Sequence, residues 1–165
     1  IASVRAGNVI GGGDWSLDRI IPDCIRALEA GKPVDIRSPK AIRPWQHVLE
    51  PLGGYMLLAA KMWNSPTEYC EGWNFGPRSE SISTVWDVAS RVIADYGSGD
   101  LSDPDALHEA KLLMLDISKA KFRLGWEPRM NIDRTVAMTV DWYKNYRIEE
   151  PYDLCLRQIS EYTAL

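Results

Sequence analysis

The sequence predicts an α/β fold whose sheet is only partly contained in these 165 residues. Three observations carry that expectation. Short apolar runs alternate with amphipathic helical stripes along the chain. The first run, Ile1–Ala6, opens at once into the polar, glycine-rich stretch Gly7-Asn8-Val9-Ile10-Gly11-Gly12-Gly13-Asp14-Trp15, and a strand exit of that kind is where ligands bind in α/β sheets. The clearest buried-strand candidates, Ile1–Ala6 and Gly72–Gly76, are too few for a complete sheet, so its remainder is expected upstream of Ile1.

The elements follow in order. Ile1–Ala6 reads as a buried strand. Residues 18–30 carry Ile20, Ile21, Cys24, Ile25 and Leu28, a helical stripe that stops at Gly31. Residues 33–37 and 46–49 read as short extended pieces. Glu50-Pro51 opens a helix, with Leu52, Tyr55, Met56, Ala59, Met62 and Trp63 as its inner face. Gly72–Gly76 reads as a strand ending at the Gly76-Pro77 loop signal. Ser83 is the expected cap of a helix striped by Val85, Val88, Ala89, Val92, Ile93 and Tyr96. A polar loop, residues 97–104, and a strand, residues 111–115, come next. Asp116 caps a short helix broken at Gly125. Asn131 caps a longer one with Ile132, Val136, Val140 and Tyr143 inward, and residues 152–163 form a last helix. Nothing resembles a linker, so residues 1–165 read as a single unit.

Composition narrows the function classes. A 45% apolar and 25% charged chain is that of an ordinary globular core. The net charge of −4 excludes a phosphate-tracking nucleic-acid face, which needs a Lys/Arg surplus. No apolar run approaches the ~20 residues of a membrane span, and no signal peptide is visible. Cys24, Cys70 and Cys155 are odd in number and far apart, which fits a reducing, cytoplasmic setting. His47 has no Cys or His within five residues, so no metal site is expected. No Gly-x-Ser-x-Gly elbow is present for a hydrolase triad.

Several polar residues stand out, each with two readings. Gly11-Gly12-Gly13 reads as a backbone approach to a phosphate or as a plain turn; no Lys-Ser follows, so it is not a P-loop. Arg19, Arg37 and Arg43 lie on separate segments and suit a diphosphate, or they make surface ion pairs. Asn8 and Asn74 each follow a strand, as turn-formers or as amides reading a ligand.

The order of the motifs is more specific than any one of them. Arg5-x-x-Asn8-Val9-Ile10-Gly11, then Arg19-Ile20-Ile21-Pro22, then Ile42-Arg43-Pro44-Trp45-Gln46-His47-Val48 come first. Trp73-Asn74-Phe75-Gly76, Asp116-x-Ser118-Lys119-Ala120, Leu124-Gly125-Trp126-x-Pro128 and Thr139-Val140-x-Trp142-Tyr143 complete the series. Over roughly residues 1–146 this series resembles the extended short-chain dehydrogenase/reductases that act on nucleotide sugars. Gly11-Gly12-Gly13-Asp14-Trp15 and the run from Arg43 to Leu52 depart from the usual family pattern. They are similar to the 4,6-dehydratase branch that takes a CDP-linked sugar.

The resemblance implies the C-terminal half of a Rossmann-type enzyme, with a small mixed α/β substrate-binding domain and without the N-terminal NAD-binding sheet. It implies NAD as cofactor and a nucleotide sugar as substrate. Asn8, Arg19, Arg37, Arg43 and Asn74 become substrate-binding candidates, with His108 and Lys111 as weaker matches. Arg5, Ala6 and Gly7 become the segment beside the nicotinamide. The family's acid/base pair is Tyr-x-x-x-Lys. Four positions after the Tyr residues stand Ala59, Trp73, Asp100, Arg147, Glu150 and Leu156, and Tyr162 has no such position, so no catalytic residue is expected in this chain. The implied reaction is an internal redox dehydration serving deoxysugar, O-antigen and lipopolysaccharide synthesis, in an enzyme that oligomerises through upstream helices. A 4-epimerase and a non-catalytic nucleotide-sugar-binding module are the competing readings. Taken alone, the 165-residue chain is expected to be poorly soluble or partly unfolded, because its strands expose apolar edges.

Overall fold

The computed structural model describes residues 1–102 and 112–165. Among them, six short strands form three separate ladders. Strand β1 (Ser3–Ala6) runs parallel to β5 (Gly72–Phe75), with Arg5 opposite Asn74. Strand β2 (Asn8–Ile10) runs parallel to β4 (Trp45–His47), with Asn8 opposite Trp45. Strand β3 (Ile42–Arg43) pairs antiparallel with β6 (Ser83–Thr84). The helices are α1 (Ile20–Glu29), α2 (Leu49–Asn64), α3 (Pro66–Tyr69), α4 (Val85–Tyr96), α5 (Ile132–Asn145) and α6 (Pro151–Thr163).

Helices α1, α4 and α5 bury their apolar stripes against one another. Ile25, Val88, Ala89, Val92 and Val136 are fully buried in that core. A second core lies between α2 and β5, where the Phe75 and Trp126 rings meet edge to face at 4.9 Å. Helix α6 closes the end of the molecule through a buried carboxylate. Glu50, 1% exposed, accepts from the backbone N–H groups of Arg129 and Met130 at 2.7 Å each. Its other oxygen accepts from the Tyr162 hydroxyl at 2.9 Å.

The structure departs from the sequence reading in several places. Strand β1 is not buried: Ser3, Val4 and Arg5 are exposed, because its pairing with β5 is lateral and leaves these side chains on uncovered faces. Residues 33–37 make no strand; Val34 forms a lone bridge to Leu101. The expected strand at 111–115 reduces to a bridge between Leu112 and Ile42, and Lys111 lies outside the described residues. The cap of α4 is Thr84, not Ser83, in a reciprocal capping box with Asp87. The short helix before Gly125 is largely a π-turn, Ala120–Leu124.

The largest correction concerns α2. Its buried residues are Glu50, Pro51, Gly54 and Leu58. Leu52, Met56 and Trp63, expected inward, are 45%, 71% and 90% exposed. The cause is the Phe75 ring, which sits directly on the helix backbone. A Cβ at Gly54 would lie 2.3 Å from Phe75 Cδ1, so only the face carrying glycine approaches β5.

Candidate substrate-binding site

A cavity of about 550 Å³ lies along β2, from Gly7 just past the C-terminal end of β1 to Gly11. Its walls are β2, the loop leading into α1, the first turn of α1, and residues 35–38. Ligand sites in α/β proteins occupy this position relative to the strands. Of the residues selected from sequence, Gly7, Asn8, Arg19 and Arg37 line it together. Arg5, Ala6, Arg43 and Asn74 do not. Arg43 is half-buried and donates from Nη1 to the Ile42 carbonyl at 2.9 Å. Asn74 donates from Nδ2 to the Asp116 carbonyl at 3.1 Å. His108, like Lys111, lies outside the described residues.

Local structure explains how the lining forms. Residues 34–37 alternate buried and exposed, with Val34 and Ile36 in the core. Asp35 and Arg37 therefore stand on the open side. Arg19 is the N-cap of α1, and its neighbours Ile20 and Ile21 also line the cavity. The first turn of a helix carries N–H groups without intrahelical partners and the positive end of the helix dipole.

The glycine-rich loop is held from behind by aromatic rings. Gly12 lies flat on Trp142, and a Cβ there would fall 1.9 Å from Trp142 Cγ. Trp15 meets Tyr143 edge to face at 5.2 Å and Tyr146 at 5.4 Å. The Tyr143 hydroxyl donates to the Asp14 carbonyl at 2.6 Å, and burial pushes the phenol up to about 12. Arg26 donates to the carbonyls of Trp15 and Ser16 at 3.1 Å each and to Asp23 at 2.5 Å. Among Gly11–Gly13, Gly12 is thus a packing glycine, set by the tryptophan face.

Sequence reasoning missed the acidic residues of the lining: Asp14, Asp18, Asp23 and Asp35. Most of that charge is already engaged. The backbone N–H of Ser16 bonds Asp14 Oδ1 at 2.9 Å and, with the Ser16 side chain, holds that carboxyl below the usual carboxylate range. Asp23 pairs with Arg26, and Asp18 pairs with Arg37 at 2.5 Å. Asp18 immediately precedes the Arg19-Ile20-Ile21-Pro22 motif, and it is the one non-glycine residue with positive φ among the described residues, at 62°. Asp tolerates that conformation better than most residues.

Behind the cavity, Gln46 and His47 are both 1% exposed. Gln46 Nε2 donates to the Phe75 carbonyl at 2.8 Å, joining β4 to β5. His47 Nδ1 accepts from the Leu49 N–H at 3.3 Å, and burial pulls the imidazole down to about 4, so it is neutral at physiological pH. Among the described residues no three His, Cys, Asp or Glu side chains are grouped to hold a metal ion.

Comparison with known proteins shows what this chain is similar to. Over 99% of its length the chain is 46% identical to CDP-glucose 4,6-dehydratase of Salmonella typhimurium, of which it spans 47%. Its sequence is thus similar to about half of a nucleotide-sugar 4,6-dehydratase. A dTDP-glucose 4,6-dehydratase of Xanthomonas campestris is a more distant relative, 26% identical over 76% of the chain and 38% of the relative. The chain thus spans about half the length, or less, of the curated relatives it matches. Among solved structures, dTDP-glucose 4,6-dehydratase of Bacillus anthracis in complex with NAD superimposes with a TM-score of 0.71. It is 21% identical and covers 91% of this chain and 47% of its own. A UDP-glucuronic acid 4-epimerase mutant of Bacillus cereus, crystallised with a fluorinated UDP-sugar and NAD, gives 0.69 at 19% identity, over 88% and 45% of the two chains. No protein-family model matches the chain. The fold is the mixed α/β fold of these solved dehydratase and epimerase structures, with the sheet represented among the described residues by two short parallel pairs and one antiparallel pair.

Proposed function

We propose that this chain is the nucleotide-sugar-binding portion of an NAD-dependent CDP-glucose 4,6-dehydratase, and that the enzyme is cytoplasmic and oligomeric. The observation that carries the reading is the gathering of Asn8, Arg19 and Arg37 around one 550 Å³ cavity at a strand end. A volume of that size suits a small-molecule ligand.

The chain's own share is binding and orientation. Arg19 and the free N–H groups at the start of α1 supply positive charge and donors for a diphosphate. Asn8, at the start of β2, presents an amide to the sugar or to its phosphate. Asp35 and Arg37 stand toward the ribose and base. The aromatic clamp on residues 12–15 keeps this rim fixed, so that little order has to be gained on binding. Arg43, Asn74, His108 and Lys111 remain family-based candidates for the diphosphate.

NAD, when bound, supplies the hydride acceptor and donor for the internal redox step. The residues present fit only a margin of a dinucleotide site. The exposed strand β1, with Arg5 on its open side and Ala6-Gly7 at its C-terminal end, is the candidate margin. No Gly-x-x-Gly-x-x-Gly turn and no Tyr-x-x-x-Lys occur in the sequence, so acid/base work is assigned to no residue of this chain.

The test is product analysis. The full-length gene product is incubated with CDP-glucose and NAD, and the sugar is identified by nuclear magnetic resonance. A 4-keto-6-deoxy sugar supports the proposal. A 4-epimer supports the second reading, an epimerase, which the resemblance to solved 4-epimerases favours. Tight calorimetric binding of CDP-sugars by the 165-residue chain, with no turnover in any longer form, supports a non-catalytic binding module.

A further inference from the structure

The ion pair between Asp18 and Arg37 crosses the cavity lining from two separate segments. It uses one contact only, Arg37 Nη2 to Asp18 Oδ1. Asp18 Oδ2, Arg37 Nη1 and Arg37 Nε have no other hydrogen-bond partner among the described residues. Both side chains are well exposed, at 75% for Asp18 and 69% for Arg37. An exposed pair held by one contact contributes little to stability. Asp18 nonetheless adopts a positive φ of 62°, a conformation with a cost for any residue but glycine. The neighbouring carboxylate, Asp35, is already approached by the Ser102 hydroxyl at 3.4 Å.

Side by side, an aspartate and an arginine present one acceptor and a row of donors. The pairing edge of cytosine is the complement of that array: an exocyclic amine that donates, then N3 and O2 that accept. Uracil and thymine reverse two of these positions. Their O4 faces the carboxylate, and their N3–H faces the guanidinium. Both mismatches leave like partners opposed, which is how a site rejects a wrong ligand.

We propose that the Asp18–Arg37 pair reads the pairing edge of the nucleotide base and makes the cavity select cytosine over uracil and thymine. The proposal rests on the nucleotide-sugar reading above and assigns the base specificity of that site. Asp18 accepts from the 4-amino group, and Arg37 donates to N3 and O2. Arg19, the next residue along the chain and also in the lining, lies on the diphosphate side.

The test is calorimetric titration of the full-length gene product with three diphosphates: CDP, UDP, and the pyrimidin-2-one analogue that lacks only the 4-amino group. The expected preference for CDP over UDP, and over the analogue, is about ten- to hundredfold, the range of a good bidentate base contact. Asp18→Asn is expected to weaken CDP and to lower the CDP-to-UDP ratio about tenfold, because an amide can turn its NH₂ toward O4. The analogue is expected to bind Asp18→Asn and the native protein alike. Equal native affinity for CDP and the analogue overturns the proposal, and it needs no variant to fold. Equal weakening of CDP and UDP by Asp18→Asn also overturns it, while leaving the nucleotide-sugar reading intact. Failure of the native protein to bind any of the three overturns both.

Discussion

Replacing Glu50 with alanine is expected to destabilise the fold by about 3 kcal/mol. Glu50 is 1% exposed and accepts three hydrogen bonds, from the N–H groups of Arg129 and Met130 and from the Tyr162 hydroxyl. Alanine leaves three donors without their acceptor, in a region where Met130 is 3% and Tyr162 8% exposed. Each buried donor left unmade costs about 1–3 kcal/mol. Two effects offset part of the sum. Burial raises the Glu50 carboxyl against those same hydrogen bonds, so removing it returns a desolvation cost. Water can also enter the vacated volume. Urea unfolding followed by tryptophan fluorescence reads the change directly. For a domain of this size, about 3 kcal/mol corresponds to a fall in Tm of about 6–12 °C. Tyr162→Phe, which removes one of the three bonds, is expected to cost about 1 kcal/mol. Glu50→Ala within about 0.5 kcal/mol of the native protein would refute the assignment of Glu50 as the tie between α2, α6 and residues 129–130.

Further expectations follow from the same geometry. Gly12→Ala drives a methyl group into the Trp142 ring and is expected to cost about 1–3 kcal/mol, with an unchanged Tm contradicting the packing role. His47 is held neutral, down to about 4 from 6.5, so its contribution is present above pH 6.5 and is lost as pH falls from about 6.5 through about 4. That loss amounts to about 3 kcal/mol, and His47→Gln should flatten the acid side of the stability profile between those values. Glu50 has the opposite sign: its raised carboxyl makes stability decline as pH rises above 4.5 through the folded value, a slope that Glu50→Gln should remove. On α2, Met56→Gln and Trp63→Gln should each change stability by less than about 0.5 kcal/mol and reduce light scattering by the 165-residue chain. A loss of several kcal/mol for either would restore the inward face read from the sequence.

Much of the architecture was legible in the sequence because its signals are local. The stripe of α1 and the Asn131 cap of α5 follow from spacing and capping chemistry within one element. The ordered motifs from Arg5 to Tyr143 pointed to the nucleotide-sugar dehydratases to which the chain is similar over 99% of its length. The site was half legible. Arginines and asparagines at strand ends and helix starts are conspicuous, and Asn8, Arg19 and Arg37 do meet at one cavity. The aspartates among them, Asp14, Asp18, Asp23 and Asp35, went unmarked, since nothing local shows a carboxylate as facing a cavity.

By itself, then, the sequence marked the longer helices, where the polar strand exit lies, and which nucleotide-sugar enzymes the chain resembles. Only the tertiary structure decided which face of α2 is covered. Periodicity places Leu52, Met56 and Trp63 on one stripe, yet the Phe75 ring demands the close approach that Gly54 alone allows, and the helix turns accordingly. Tertiary structure likewise set Gly12 against Trp142, and Asp18 against Arg37, 19 residues apart. The physical reason is common to all three. A residue's chemistry is written at its own position, but what it touches is fixed by the packing of segments distant in sequence, which local patterns do not record.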